Sequence, residues 1–353
     1  MKKIILGAAV AAVVSIALFL LYPAPIDPAF WSPPKPKEMT GPLSPNTLLR
    51  NAALLARGKV DGPEETAVDR LGRVYGGTQD GKIVRILTDG TVETFVETGG
   101  RPLGMRFDRH GSLIVCDAYK GLLSIDPKGA VRVLSTSAEG VPFLFTDALD
   151  IARDGTIYFT DASFKHNQSQ YMLDLLEARP RGRFLAWDPA SGQTRVLLRD
   201  LYFANGVALS PGEDFVLVNE TYRYRIVRYW LKGPRAGKSD IFIDNLPGFP
   251  DNISAGETQA FWVAVFTVRN KLADRLHRFP FLKAQMSKLP RALWPRPEPY
   301  GLVLALDEKG NIVRSLHDPG GDRLKAITSA VEHNGFLYLG SLHNDRVGKY
   351  RLP

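Results

Sequence analysis

A hairpin pattern that recurs six times between residues 60 and 353 limits this chain to very few folds. Each copy consists of an apolar strand, a tight turn that contains glycine, and a second strand rich in aliphatic and aromatic residues. The glycines of the six turns are Gly72, Gly111, Gly155, Gly212, Gly256 and Gly335. Most of them lie about 40 residues apart, which is the period of a four-stranded propeller blade. The sequence therefore predicts an all-β fold, a six-bladed β-propeller over residues 46–353.

Two gaps in the repeat are longer than one blade, and both are predicted to contain short helical insertions. Residues 164–182 include one apolar helical pattern, and residues 270–296 read as a basic, amphipathic pair of helices. The last copy runs out of chain after three strands, so we expect a strand from about residues 48–60 to complete its sheet and close the ring. A soluble two-domain α+β protein is the alternative, but it does not account for six hairpins of one pattern.

The N-terminus carries an apolar stretch long enough to cross a membrane. Lys2 and Lys3 are followed by an uncharged segment over residues 4–22, which predicts a transmembrane helix. A cleaved signal peptide is the alternative, but its apolar region would be shorter and would end in small residues. We therefore expect residues 1–22 to form an uncleaved signal anchor in the membrane. The two lysines predict a cytoplasmic N-terminus and a propeller on the periplasmic, extracellular or lumenal side.

The segment that follows the apolar stretch is rich in proline. Eight prolines punctuate residues 23–45. Such a segment cannot form a helix, so it is predicted to be a semi-rigid linker between the membrane and the propeller.

Charge and cysteine content exclude several classes of protein. The formal net charge is +8, but Lys and Arg are scattered along the chain, so we predict no nucleic-acid partner. The single cysteine, Cys116, rules out an internal disulfide framework and a Cys-based zinc site. It lies in an alternating apolar run and is expected to be a small buried hydrophobe. Protein partners do not follow from the sequence.

Propeller geometry predicts where polar side chains meet. Residues just before the innermost strand of each blade converge on the mouth of the central channel. Four blades place a carboxylate or an amide there, namely Glu64, Asp147, Asn205 and Asp251. Carboxylates this close repel each other unless a cation compensates, and oxygen ligands favour Ca²⁺, with Mg²⁺ or Mn²⁺ as alternatives. Taken singly, such a residue before a strand is better explained as a turn former, but four of them at the same blade position favour a site.

Several motifs resemble the strictosidine synthase-like family. They are GPEETAVD at 62–69, LDIARDGTIYFTDAS at 149–163, LEARPRGR at 176–183, FANGVALS at 203–210 and LPGFPDNI at 246–253. The signal anchor, SLHDP at 315–319 and EHNGFLYLGS at 332–341 resemble the branch of adipocyte plasma membrane-associated proteins. More distantly, the chain is similar to gluconolactonases, regucalcin and paraoxonase-type arylesterases.

The resemblance implies a metal-dependent hydrolase of lactones or aryl esters. Related lactonases bind a divalent cation through residues that match Glu64, Asn205 and Asp251, with an asparagine at the position of Asp147. The cation would polarise the carbonyl of a small-molecule ester or lactone while a carboxylate activates water. Asp251 is the predicted base, and a role as metal ligand alone is the alternative. A membrane-tethered binding propeller without turnover is the alternative function.

Two departures from the family pattern bear on activity. The related Asn-Asp pair of the third blade is Asp147-Ala148 here, which changes the charge of the predicted ligand set. In strictosidine synthases a catalytic glutamate lies seven residues before the match to Glu332, and that position is Lys325 here. Because amine–aldehyde condensation needs that acid–base group, no strictosidine synthase activity is expected.

Two histidines and one insertion are further candidates for a function. His343 and His166 fall in loops predicted to open on the site face, and each is a candidate general base or substrate contact. His343 is placed with Asp251 as a predicted catalytic residue. The basic insertion over residues 271–294 is expected to cover the site, to lie on an anionic membrane surface, or simply to pack on the propeller.

Overall fold

A computed structural model describes residues 2–257 and 261–353, and it confirms the six-bladed propeller. Each blade is an antiparallel sheet of four strands. The blades are numbered in the order in which they occur along the chain. From the innermost strand outward, blades one to three consist of Thr66–Val68, Val74–Gly77, Lys82–Ile86 and Val92–Glu97; Pro102–Phe107, Leu113–Asp117, Gly121–Ile125 and Val131–Ser135; and Thr146–Ile151, Ile157–Asp161, Gly182–Trp187 and Thr194–Leu201. Blades four to six consist of Ala204–Leu209, Phe215–Glu220, Arg225–Trp230 and Ser239–Ile243; Gly248–Ala255, Phe261–Val268, Gly301–Leu306 and Ile312–Asp318; and Ile327–His333, Phe336–Ser341, Val347–Arg351 and Ala53–Leu55.

In the first two blades, an aspartate shapes the predicted hairpin turn together with a glycine. In blade one, the Asp69 carboxylate accepts hydrogen bonds from the backbone N–H groups of Leu71 and Arg73 at 2.9 and 3.0 Å. Gly72 adopts φ 75°, a left-handed conformation that favours glycine. This turn chemistry explains why the pattern was readable in the sequence. The turn of the fifth hairpin includes residues 258–260, which lie outside the described residues.

The ring closes as predicted. Ala53–Leu55 pairs with Val347–Arg351, so a strand from the start of the propeller completes the last sheet. A 3₁₀ turn over Leu48–Asn51 precedes that strand and buries Leu49 completely. The first and last segments of the propeller are thereby held in one sheet, which leaves no open seam between blades six and one.

The N-terminal helix spans Lys2–Leu21 and is apolar from Ile4 onward. Its length of about 30 Å matches the hydrocarbon thickness of a bilayer. By length and composition it is a candidate membrane span, and its side chains contact little of the propeller.

The proline-rich linker forms no α-helix, as predicted, but it does not stand clear of the propeller. Ile26 and Leu43 are buried, and the N–H of Trp31 donates to the His277 carbonyl at 3.0 Å. The Trp31 ring packs against Tyr224 with ring centroids 5.6 Å apart. The linker is therefore docked on the propeller, because apolar side chains between the prolines find partners there.

Both long gaps contain helices, as predicted. The first insertion has a 3₁₀ turn over Gln168–Gln170 and an α-helix over Tyr171–Glu177. The second has α-helices over Lys271–Leu276 and Pro280–Ser287 and a 3₁₀ turn over Arg291–Leu293. A separate short hairpin, Ser137–Ala138 with Val141–Pro142, lies in the connection between blades two and three. The linker and both insertions meet in one apolar cluster built around Ile26, Leu176 and Trp294.

Candidate metal centre

The four predicted ligands come together at one cavity of about 130 Å³. All four are buried, with between 3% and 8% of their surface exposed. Each of the six blades contributes one residue at this position, and the full set is Glu64, Leu103, Asp147, Asn205, Asp251 and Thr328. The polar members therefore face one another across the axis of the ring. Blade two contributes the apolar side chain of Leu103 at this position.

A repeated break in strand pairing points these side chains at the axis. The pairing of the innermost strand shifts between Thr146 and Leu149 in blade three, and Asp147 lies inside that break. Equivalent breaks in blades four and five contain Asn205 and Asp251. A bulge turns a side chain away from the regular alternation of the strand. The ligand positions thus lie within the first strands rather than just before them, except for Glu64.

Hydrogen bonds between blades hold the predicted ligand residues in place. The Asn252 side-chain amide donates to Oε1 of Glu64 at 3.0 Å, which links blade five to blade one. The Glu64 carbonyl accepts the Thr328 hydroxyl at 2.6 Å, and the Asp251 carbonyl accepts the Asn219 amide at 2.5 Å. Each contact joins two blades, so the geometry of the site depends on closure of the whole ring.

Glycine allows the ligand-bearing strands to approach one another. A Cβ atom on Gly206 would lie 2.6 Å from the Asp251 carbonyl oxygen and 2.7 Å from the Asn252 Cα. A Cβ on Gly104 would lie 2.5 Å from the Asp147 carbonyl oxygen. Because these contacts are to backbone, a larger residue would displace the strand that carries the ligand.

We predict that Gly206→Ala weakens calcium binding at least tenfold and destabilises the fold by about 1–3 kcal/mol, since the added methyl displaces Asp251. Isothermal titration calorimetry and urea unfolding measure the two effects. Gly212→Ala, at the other end of the same hairpin, is the matched control because its Cβ would meet only the movable Asp214 carboxylate. Unchanged calcium affinity in Gly206→Ala would contradict this account of the site.

Ionisation of all three buried carboxyl groups at once is unfavourable, because their negative charges repel one another. Burial raises the pKa of Glu64 well above its usual value, and the charges of Asp251 and Asp147 raise it further. Burial and the charge of Asp251 likewise raise the pKa of Asp147. Burial raises the pKa of Asp251 to about 8, although interactions with the Asn205 and Glu64 side chains oppose the rise. The buried guanidinium of Arg101 offsets part of this repulsion.

Oxygen atoms without hydrogen-bond partners make this set suitable for a cation. Oε2 of Glu64, Oδ1 of Asn205, Oδ1 of Asp251 and Oδ1 of Asn252 are all buried and lack a partner. Buried polar atoms are normally paired, so three unpaired oxygens on the cavity wall, with that of Asn252 in the residue next to Asp251, suit the ligand set of a cation. Within the described residues, no three His, Cys, Asp or Glu side chains form a metal-binding group by themselves. The fit to a hard cation therefore depends on amide oxygens as well as carboxylates.

Without a cation, stability is predicted to fall as the pH rises. The folded protein retains a proton on Asp251 that the unfolded chain, with an ordinary pKa near 3.8, has already released. The stability that this proton contributes to the folded state is fully present below about pH 4 and is lost as the pH rises through about 8. Urea unfolding in chelator should thus give lower stability at about pH 9 than at about pH 5, with a smaller difference in Asp251→Asn. An equal pH dependence in both proteins would contradict the assignment.

The rest of the cavity wall is mostly apolar and aromatic. Phe203 stacks on Tyr222 with centroids 4.4 Å apart and meets Phe145 edge to face at 5.2 Å. Leu276 and Met286 of the second insertion also line the cavity. The site therefore combines one group of polar oxygens with a large apolar surface, as small-molecule sites commonly do.

The two predicted histidines, His343 and His166, lie outside the group of predicted metal ligands. His343 is exposed and lines an adjoining cavity, where its ring packs 5.8 Å from that of Phe266. Partial desolvation of the ring, together with the positive charges of Lys325 and Arg101, lowers its pKa. His166 is buried and pairs with Oε2 of Glu177 at 2.6 Å.

His277 was missed by the sequence analysis. It is buried and lines the cavity, and its Nδ1 has no hydrogen-bond partner. Burial, with the charges of Lys283 and Arg223, lowers its pKa to about 3, so the ring is neutral. Nothing in the local sequence of the insertion distinguishes His277 from an ordinary surface histidine.

Comparisons with known proteins identify the fold and the family. A gluconolactonase from Xanthomonas campestris superposes with a TM-score of 0.64 at 18% identity, covering 94% of this chain and 99% of that one. Regucalcin, a calcium-binding protein from Agrobacterium tumefaciens, superposes with a TM-score of 0.59 at 12% identity, covering 84% and 92%. The fold is thus the propeller of gluconolactonase- and regucalcin-like proteins.

Several relatives found by sequence share a higher sequence identity with this chain than these solved structures do. Residues 147–234 match the family model for strictosidine synthase, and residues 41–86 match that for the strictosidine synthase-like N-terminal region. The adipocyte plasma membrane-associated protein of Rattus norvegicus is 40% identical over 362 residues, covering 96% of each chain. Strictosidine synthase-like protein 6 of Arabidopsis thaliana is 38% identical over 317 residues, covering 87% of this chain and 83% of that protein. The chain belongs to the strictosidine synthase-like family, alongside the adipocyte plasma membrane-associated proteins.

Proposed function

We propose that this protein is a calcium-dependent hydrolase of lactones or aryl esters, anchored in a membrane by its N-terminal helix. The observation that carries the proposal is the group of unpaired buried oxygens of Glu64, Asn205 and Asp251 at a cavity whose wall is mostly apolar. Oxygen ligands of this kind suit Ca²⁺ best, with Mg²⁺ or Mn²⁺ as alternatives. The apolar wall suits the body of an uncharged ester or lactone.

Each polar residue has a separate task in this proposal. Glu64, Asp147, Asn205 and Asp251 would hold the cation, which would supply the Lewis acid that polarises the substrate carbonyl. Asp251 accepts the proton of the attacking water, or acts as a ligand alone. The Asn252 amide keeps Glu64 oriented through their 3.0 Å hydrogen bond. His343 contacts substrate only at the mouth, because it lines the adjoining cavity.

Lys325 argues against strictosidine synthase activity. It is exposed and lines the same adjoining cavity as His343. An ammonium group there cannot replace the carboxylate that amine–aldehyde condensation requires. Lys2 and Lys3 favour a cytoplasmic N-terminus, with the propeller on the opposite side of the membrane.

The proposal is tested by purifying the full chain in detergent, measuring its bound metals, and assaying lactones and phenyl esters with and without chelator. Chelator should abolish turnover, and added calcium should restore it. Bound metal without turnover across the panel would favour the alternative, a membrane-tethered propeller that binds a small molecule. Absence of bound metal together with turnover in chelator would overturn the proposed mechanism.

A further inference from the structure

The outer face of the second insertion exposes an unusual amount of apolar surface. Large hydrophobic side chains are between 49% and 65% exposed at five positions: Leu272, Phe279, Phe281, Leu282 and Leu293. Water-soluble proteins seldom concentrate such side chains in one segment. The inner face of the same insertion is already used, since Leu276, Met286 and Trp294 line the cavity. The outer face therefore lacks a partner within the described part of the chain.

This face adjoins the end of the N-terminal helix. The Lys288 ammonium group donates to the carbonyls of Phe19 and Leu20 at 2.9 and 3.3 Å and lies 5.2 Å from the centre of the Phe19 ring. Phe19 and Leu20 belong to the last turn of a helix that ends at Leu21. The insertion is thus held at the level where that apolar helix would leave a bilayer.

The charge of the insertion suits an anionic surface. Residues 271–296 contain seven Lys or Arg residues and one Asp. Lys271, Arg275, Arg278 and Arg291 are exposed beside the apolar side chains. Basic residues that flank exposed Leu and Phe are typical of segments lying in the membrane interface, where lysine and arginine meet anionic headgroups.

We propose that the outer face of residues 271–294 lies in the surface of the bilayer that the N-terminal helix enters, with its apolar side chains among the lipids and its basic ones at anionic headgroups. The bilayer contact and the cover of the cavity then belong to one element. This proposal does not require hydrolysis, so it stands or falls separately from the proposed activity.

Site-specific fluorescence in nanodiscs tests the proposal on the full chain. Cys116 is completely buried, so a single introduced cysteine can be labelled selectively. We would label Leu282→Cys, with Val133→Cys on the outermost strand of blade two as the matched water-facing control. Val13→Cys, within the N-terminal helix, is the control for insertion. Spin-labelled lipid should quench the fluorophore at position 282 at least about fivefold more than at position 133, and more strongly in discs containing anionic lipid.

Three results would overturn the proposal. Position 282 could behave like position 133 while position 13 is quenched, which would leave the anchor intact and remove the surface contact. Loss of lipid quenching at both 282 and 13 would remove the membrane placement altogether. Protection of position 282 from an aqueous quencher that increases with the number of chains per disc would identify a second copy as its partner.

Discussion

Asp251→Asn is expected to lower hydrolysis of a lactone or phenyl ester by about 10²–10⁴-fold, the range over which a positioned carboxylate base contributes. Asp251 lies among the orphaned oxygens and interacts with both Asn205 and Glu64. Asparagine keeps its shape but can neither accept the proton of water nor supply a negative ligand. Initial rates at saturating calcium measure the effect.

The same variant separates the two roles of Asp251. Loss of turnover with calcium still bound assigns it as the base, and loss of both assigns it as a necessary ligand. Asp244→Asn is the matched control, because Asp244 is exposed in the loop before blade five and should leave the rate unchanged. Turnover of Asp251→Asn at the unmodified rate would remove Asp251 from the mechanism.

Calcium should raise the melting temperature of the full chain by about 5 °C when its concentration is about 100 times the dissociation constant. That excess corresponds to about 2.7 kcal/mol of stabilisation, and for a protein of this size each kcal/mol is worth about 2 °C. The physical reason is that the cation relieves repulsion among Glu64, Asp147 and Asp251. Thermal scans with calcium and with chelator measure the shift.

Glu64→Gln should abolish most of that shift, since it removes a buried ligand oxygen with negative charge. Glu308→Gln provides the comparison, because Glu308 is exposed on the outer part of blade five and takes no part in the site. A full calcium shift in Glu64→Gln would mean that calcium binds elsewhere on the propeller.

Much of the fold could be predicted because its information is local and repeated. The turn at Asp69 and Gly72 is specified within a few residues, and Asp108 and Gly111 repeat the same chemistry in blade two. Ring closure followed from counting strands, and pairing of Leu54 with Gly348 confirms it. The docking of the linker depends on contacts such as that of Trp31 with Tyr224, far away in the sequence, and proline content says nothing about such contacts.

The candidate site was also predictable only in part, for the same reason. Glu64, Asp147, Asn205 and Asp251 were found because equivalent blade positions must converge on the axis. Thr328 and Leu103 occupy equivalent positions, but one reads as an ordinary strand residue and the other is apolar, so neither attracted attention. Asn252 could only be recognised through its bond to Glu64 in another blade, and His277 only through the packing of an insertion onto the cavity. The cation itself remains a prediction.

The measurement that tests the central claim most directly is a crystal structure of the full chain soaked with Mn²⁺, located by anomalous scattering. We expect one strong peak within about 2.0–2.6 Å of side-chain oxygens of Glu64, Asn205 and Asp251, as for a hard divalent cation. A cavity that holds no metal at saturating Mn²⁺, or a peak bound by other residues, would contradict the account.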